Sequence, residues 1–212
     1  MQAVSAEEFQ QWAASHGVGV DPCYPKSDCL ILLPPTNHAR FWVVPGDPAT
    51  WPYFVAFLLD GLDDWAAGLL WPRAGRWQQS GLSRSYNERV QDVVLRGAGI
   101  PDGWSGAIRF ERGEKDALVA VLFPFMVFGG CVHDDLFFVP DHAQQLLQTS
   151  HHDVIHAQCR SEERVLTLVA HMATEGYELP DELPDETFKR PAWMGGARTE
   201  PGATADGGRD SS

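Results

Sequence analysis

The chain has 212 residues, 44% of them hydrophobic and 11% aromatic, with eight tryptophans and a formal net charge of −13 at pH 7. That length and apolar content suffice for one sizeable core or two small ones. The charge disfavours nucleic acid and anionic membranes; it serves simple solubility, and it also attracts basic protein partners.

At the N-terminus, MQAVSAEEFQ has neither a basic n-region nor an apolar h-region. No secretory signal is expected, and the chain reads as cytoplasmic. Residues 5–15, SAEEFQQWAAS, predict a helix opened by a capping box in which Ser5 caps and Glu8 reaches back to its amide. Phe9 and Trp12 give it one apolar side, and Gly17 and Gly19 are expected to end it. CLILL at 29–33 and RFWVV at 40–44 predict short buried strands, stopped by Pro34–Pro35 and by Pro45. Asp47 or Thr50 then caps a helix with Pro52 in its first turn. Its body, YFVAFLLDGL, is apolar nearly all round, as a central helix would be. Residues 65–71 predict a strand and 72–83 a loop.

Ser85 and Glu88 form a second capping box before ERVQDVVLRG, with Gly97 as the stop. Residues 104–111 alternate as a strand. Glu114 and Asp116 mark a helix N-terminus, and Leu118, Val121, Leu122 and Phe125 follow at helical spacing. Pro124 is expected to bend or end that helix; a strand over 117–123 is the alternative. The longest apolar run, residues 117–132, is 16 residues broken by Pro124. A spanning helix needs about 20, so the run reads as core and no membrane span is expected. Residues 136–159 predict two or three short strands with a turn at Pro140–Asp141. Ser161 caps a last helix, with Glu162 and Glu163 in its first turn, a stripe of Val165, Leu168, Val169 and Met172, and Gly176 at its end.

From residue 178 the composition changes. ELPDELPDE and FKRPAWM describe an acidic, proline-containing strap over 178–194, which Phe188 and Trp193 either pin to the domain or present to a partner. Residues 195–212 are too poor in apolar side chains to fold and predict a disordered tail. The interleaved pattern predicts a single mixed domain, α/β or α+β, over 1–177, with about five helices and six or seven short strands.

The densest chemistry lies in SHHDVIHAQC, residues 150–159, with His151, His152, Asp153 and His156. HDVIH is one residue away from H-E-x-x-H, a pattern that works only on a helix. There, histidines four apart share a zinc and the acid activates its water. Ser150 and Asp153 would cap that helix, Asp153 would be the base, and His142 and His133 would complete the zinc ligands. Against this, VIHAQC alternates and carries adjacent β-branched residues, which favours a strand. On a strand His152 and His156 stand about 13 Å apart and cannot share one metal. The strand reading is adopted, with no catalytic residue and no cofactor assigned. Asp134 and Asp135, beside His133, form a second polar cluster. Pairing of 136–139 with 153–159 would bring both clusters to one sheet end, making Asp134, Asp135 and His151 candidate partner contacts.

Other signatures fail. GAGIPDG at 97–103 follows a helix rather than a strand, and neither a phosphate-binding loop nor a nucleophile elbow occurs. The cysteines at 23, 29, 131 and 159 form no C-x-x-C pair and read as reduced thiols. No basic patch interleaves with aromatics, so no nucleic acid is expected. Trp-Pro occurs at 51–52 and 71–72, and with Trp65, Trp77 and Trp104 it suggests a tryptophan-rich core with one or two exposed anchors. Together these features predict a non-catalytic, acidic cytosolic binding module for a basic protein partner, antidote-like or regulatory. The alternatives are a metal-dependent hydrolase built on HDVIH and a scaffold acting through the C-terminal strap.

Overall fold

Alternation between residues 67 and 159 sends successive apolar side chains to opposite sides, so both faces of the resulting sheet must be covered. The computed structural model describes residues 1–21, 29–75, 77, 86–132, 135–150 and 153–180, with backbone alone at 74, 86–88 and 128–132. The described residues form five α-helices and nine strands. In chain order these are β1 (Gln2–Ser5), α1 (Ala6–Ser15), β2 (Val18–Val20), β3 (Leu30–Leu32), β4 (Ala39–Val43), α2 (Trp51–Asp60) and β5 (Ala67–Pro72). Then follow α3 (Tyr86–Gly97), β6 (Gly106–Glu111), α4 (Lys115–Val132), β7 (Leu136–Pro140), β8 (Gln145–Ser150), β9 (Val154–Cys159) and α5 (Glu162–Ala173). Seven strands make one antiparallel sheet, ordered β1-β6-β5-β7-β8-β9-β4, and β2 pairs with β3 separately. The mixed α/β class is as expected. The two additional strands, β1 and β2, are four and three residues long, too short to show a period.

The two sheet faces carry different layers. Leu70, Ile108, Phe138, Leu147 and Ile155 join the buried residues of α2, α4 and α5 on one face. Leu69, Trp71, Phe137, Val139 and Leu146 meet α1, β2 and β3 on the other. Of the described tryptophans, Trp42, Trp51, Trp65, Trp71 and Trp77 are buried and Trp12 and Trp104 half-buried. None of them is an exposed anchor.

Local rules explain the helix ends. The Ser5–Glu8 capping box forms: Glu8 N–H donates to Ser5 Oγ at 3.2 Å, and Ser5 N–H donates to Glu8 at 2.9 Å. Gly17, at φ +65°, follows α1, but Gly19 lies inside β2 rather than in a stop. Asp47 opens a short 3-10 turn at Pro48–Thr50 ahead of α2, and Thr50 makes no side-chain cap. The stop of α3 is Gly99, not Gly97. Gly99 takes φ +75°, its N–H reaches Arg96 O, and Ile100 N–H reaches Leu95 O, the Schellman pattern. Gly176 closes α5 in the same way, with Tyr177 N–H on Met172 O. The Ser85 capping box lies outside the described residues.

Two open alternatives are decided. Helix α4 continues through Pro124 rather than ending there, and 117–123 is not a strand. Leu118, Val121, Leu122 and Phe125 are all buried against the core. This packing outweighs the roughly 3 kcal/mol that an internal proline costs. The helical alternative for 150–159 is overturned as well. Ser150 ends β8, Asp153 sits in the turn at φ +59°, and β9 runs between β8 and β4. Asp tolerates that left-handed conformation better than most residues, and the Val154–Ile155 pair gains a neighbour on both sides.

Tyr177 and Leu179 pack against the core, so the strap's first residues lie on the domain. The strap beyond Pro180, with Phe188 and Trp193, and the tail at 195–212 are outside the described residues.

Arg160 joins the layers. Its guanidinium donates to Leu33 O, His16 O and Gly17 O at 2.8–2.9 Å, and its Nε to Ala143 O at 2.8 Å. These carbonyls come from the end of β3, the end of α1 and the β7–β8 turn. A Cβ at Gly17 would stand 2.9 Å from Arg160 Nη2 and 2.8 Å from Leu33 O. Arg160→Ala is therefore expected to cost about 2–4 kcal/mol in urea unfolding, from several carbonyls losing their donors at once. Arg160→Lys, which lacks the planar fork, should recover less than half of that loss.

Candidate functional site

The strands deliver their loops to two ends of the sheet. At one end lie Asp135, Ser150 and Asp153; at the other lie the β7–β8 turn, Cys159 and the start of α5. Asp135 and Asp153 do share an end, as the sequence suggested, but β8 separates β7 from β9. Asp135 is only 3% exposed. Gln148 Nε2 donates to its carboxylate at 3.1 Å, and Arg73 lies 3.8 Å away. It is an internal anchor rather than a surface contact, because a buried carboxylate requires such partners. His156 stands mid-strand, its ring 6.0 Å from Phe41. His142 sits at the opposite end from Asp153, so it does not join the zinc set proposed around HDVIH. Among the described residues no three His, Cys, Asp or Glu side chains are placed to hold a metal. His133, Asp134, His151 and His152 lie outside the described residues.

The opposite end holds a cleft of about 530 Å³. One wall is the segment after α2, Asp60–Asp64. Another is the β7–β8 turn with His142 and Gln144, and the third is α5 with Arg164, Thr167 and His171. Gly61 is needed where α2 ends: a Cβ there would lie 2.4 Å from the His171 ring and 2.8 Å from Leu168. Gln145 Oε1 accepts Asp63 N–H at 3.0 Å and ties this segment to β8.

The charges in the cleft are mostly paired. Arg164 pairs with Asp63, and Lys115 Nζ reaches both Asp60 oxygens at 2.8 and 2.6 Å. Arg112 lies over the Trp65 ring at 5.6 Å, a cation–π contact. Asp64 is exposed, with no ion pair among the described residues.

His142 is held in one tautomer. Gln144 N–H donates to Nδ1 at 3.0 Å, so the neutral ring carries its proton on Nε2. Nε2 is buried without a hydrogen-bond partner among the described residues. Burial pushes the imidazole below its ordinary value of 6.5, with the Asp141 charge opposing.

Beside the cleft runs an aromatic ladder. The His171 ring stacks on Phe57 at 4.0 Å and 16°, and Nε2 lies 2.9 Å from Phe57 O. That carbonyl also accepts Gly61 N–H, so His171 donates as part of the α2 cap. Tyr53 stacks on Phe57 at 6.1 Å and is 52% exposed. Desolvation and the neighbouring Glu175 carboxylate raise its hydroxyl pKa.

Sequence reading missed this site. Its one local signal is DGLDD at 60–64, an acid run directly after an apolar helix. His171 and Arg164 belong to it only because α5 packs antiparallel to α2.

Compared with protein-family models, curated proteins and solved structures, the chain matches none.

Two titrations check this geometry. NMR should place the His142 transition below 6.5 and its proton on Nε2 at neutral pH. Because the unfolded state then takes up the proton first, His142 destabilises the fold as pH falls below 6.5, and His142→Gln should flatten that slope. Burial likewise pushes the Cys159 thiol to about 11, with Gln145 opposing. Native protein at pH 8 should leave Cys159 unlabelled by thiol reagents, located by mass spectrometry, until it is denatured.

Proposed function

We infer that the chain is a non-catalytic, cytoplasmic binding module that docks a basic protein partner on the cleft and the α2–α5 face, to neutralise or regulate it. The carrying observation is where the cations go. Residues 181–212 hold seven acids and four basic residues, so ten of the thirteen net negative charges lie in residues 1–180. Within that part, Arg164, Lys115, Arg73 and Arg109 pair with carboxylates. Arg160 is committed to backbone carbonyls. Asp64 and Glu175 stay exposed near the ladder, with no ion pair among the described residues.

Tyr53, Phe57 and His171 add what charge alone lacks. Tyr53 is exposed, with half-buried Phe57 and His171 stacked behind it; an aromatic ring so placed accepts lysine or arginine by cation–π contact and supplies the apolar centre of an interface. Acids around it raise the encounter rate with a positive surface.

The test is a photo-crosslinking amino acid at Tyr53, compared with one at Val93 on α3, which is also exposed. The reading expects a basic protein captured from position 53 alone. Its affinity should fall steeply with salt, at least about tenfold with Asp64→Lys and Glu175→Lys together, and by about 2 kcal/mol with Tyr53→Ala. Capture equally from position 93, or an affinity indifferent to salt and to both charge reversals, would sink it.

A further inference from the structure

Strand β4 is an edge of the main sheet, with no further strand paired to it among the described residues. Val44 N–H donates to Asp153 O and Cys159 N–H to His38 O. In the register that joins Ala39 to Gln158 and Val43 to Val154, residues 38, 40, 42 and 44 thus turn their N–H and C=O toward β9. Ala39, Phe41 and Val43 turn theirs away from it. Among the described residues the one hydrogen bond on that side is Arg40 Nη1 to Ala39 O, 2.7 Å. The strand has no proline and no bulge. Its outer residues are Ala39, exposed, Phe41, half-buried, and Val43, 47% exposed. Folded proteins blunt such edges when they are meant to stay free. The opposite edge is blunted here: Ser5 N–H is taken by Glu8, and the N-terminal ammonium pairs with Glu114.

We propose that β4 is a self-association edge at which a second copy of this chain adds antiparallel, β4 to β4, joining the two sheets about a two-fold axis at Phe41. The strand is self-complementary in that register. Phe41 faces its own copy, and Ala39 faces Val43, small against large, on each side of the axis. All three pairs place outward N–H and C=O groups opposite each other. Four of the resulting bonds, two between the Phe41 residues and two from Ala39 N–H to Val43 O, use groups with no partner among the described residues. The single charge in β4, Arg40, falls opposite Trp42 rather than opposite the other Arg40. An isologous contact of this kind closes as a dimer and does not propagate.

A second copy also fixes the sign of the salt effect. Two chains of −13 each repel, so screening must strengthen the pairing, whereas binding to a basic partner must weaken with salt. The dimer does not depend on the basic partner, and the opposite salt responses tell the two apart.

The experiment is light scattering with size separation on the full chain at rising concentration, at low and high salt. Val43→Pro and Val43→Lys are run in parallel. Val43 N–H makes no bond to β9, so proline there blocks the edge without removing an internal ladder bond; lysine blocks it by charge. The proposal expects a concentration-dependent doubling of mass, larger at high salt, and monomers from both variants with melting unchanged. Amide exchange needs no substitution: Phe41 and Val43 N–H should become protected as concentration rises. A wild-type chain that stays monomeric at high micromolar concentration in high salt overturns the proposal. So does a dimer that survives both variants or leaves those amides unprotected, since another surface then forms it.

Discussion

Arg160 holds three separate pieces of the fold in place, and the rest of the architecture depends on that clasp. It follows β9 directly, so its position is set by the sheet. From there it satisfies carbonyls at the end of α1, at the end of β3 and in the β7–β8 turn. Each of these backbone groups needs a donor, because a helix C-terminus and a tight turn leave carbonyls without partners. One planar cation with a fork of donors supplies several at once. It also places positive charge at the negative end of the α1 dipole. The α1–β2–β3 layer is thereby fixed to the sheet by polar as well as apolar contact.

The same turn connects the clasp to the candidate site. Ala143 takes φ +48°, and its carbonyl is the one that Arg160 Nε holds. One residue earlier, His142 is fixed by Asp141 and Gln144. The cleft wall is therefore preorganised by backbone bonds rather than by ligand. On the opposite wall, Gly61 lets α5 approach α2 closely enough for His171 to lie on Phe57 and cap the helix. The site's polar groups are mostly paired among themselves, and Nδ1 of His142 is occupied by Gln144 N–H.

Much of the local structure was legible in the residues. Ser5 and Glu8, Asp47, Ser161, and the alternation of VIHAQC each act within a few positions, so their outcome is decided by neighbours in sequence. The elements that were misread are those in which distant packing overrode local preference. Pro124 stays inside a helix because the core covers it. Val18–Val20 becomes a strand because β3 pairs with it across an intervening segment. Gly99 ends α3 instead of Gly97 because either glycine can adopt the left-handed turn, and only the position of Leu95 and Ile100 in the core chooses between them. The candidate site was almost invisible. Asp60, Asp63, His142, Arg164 and His171 span more than a hundred positions, and none belongs to a spaced motif.

By itself the sequence determined the helices with strong caps, the strands with clear alternation, the mixed class, and the acidic balance. Those depend on period, capping chemistry and net charge, all local or additive. The tertiary structure decided strand order, which acids lie exposed and which, like Asp135, are buried anchors. It decided which strands lie at the two edges of the sheet among the described residues, and that Val154–Cys159 is paired on both sides. Each of these follows from which segments pack together, and pairing is a property of surfaces brought close by the whole chain rather than of any stretch within it.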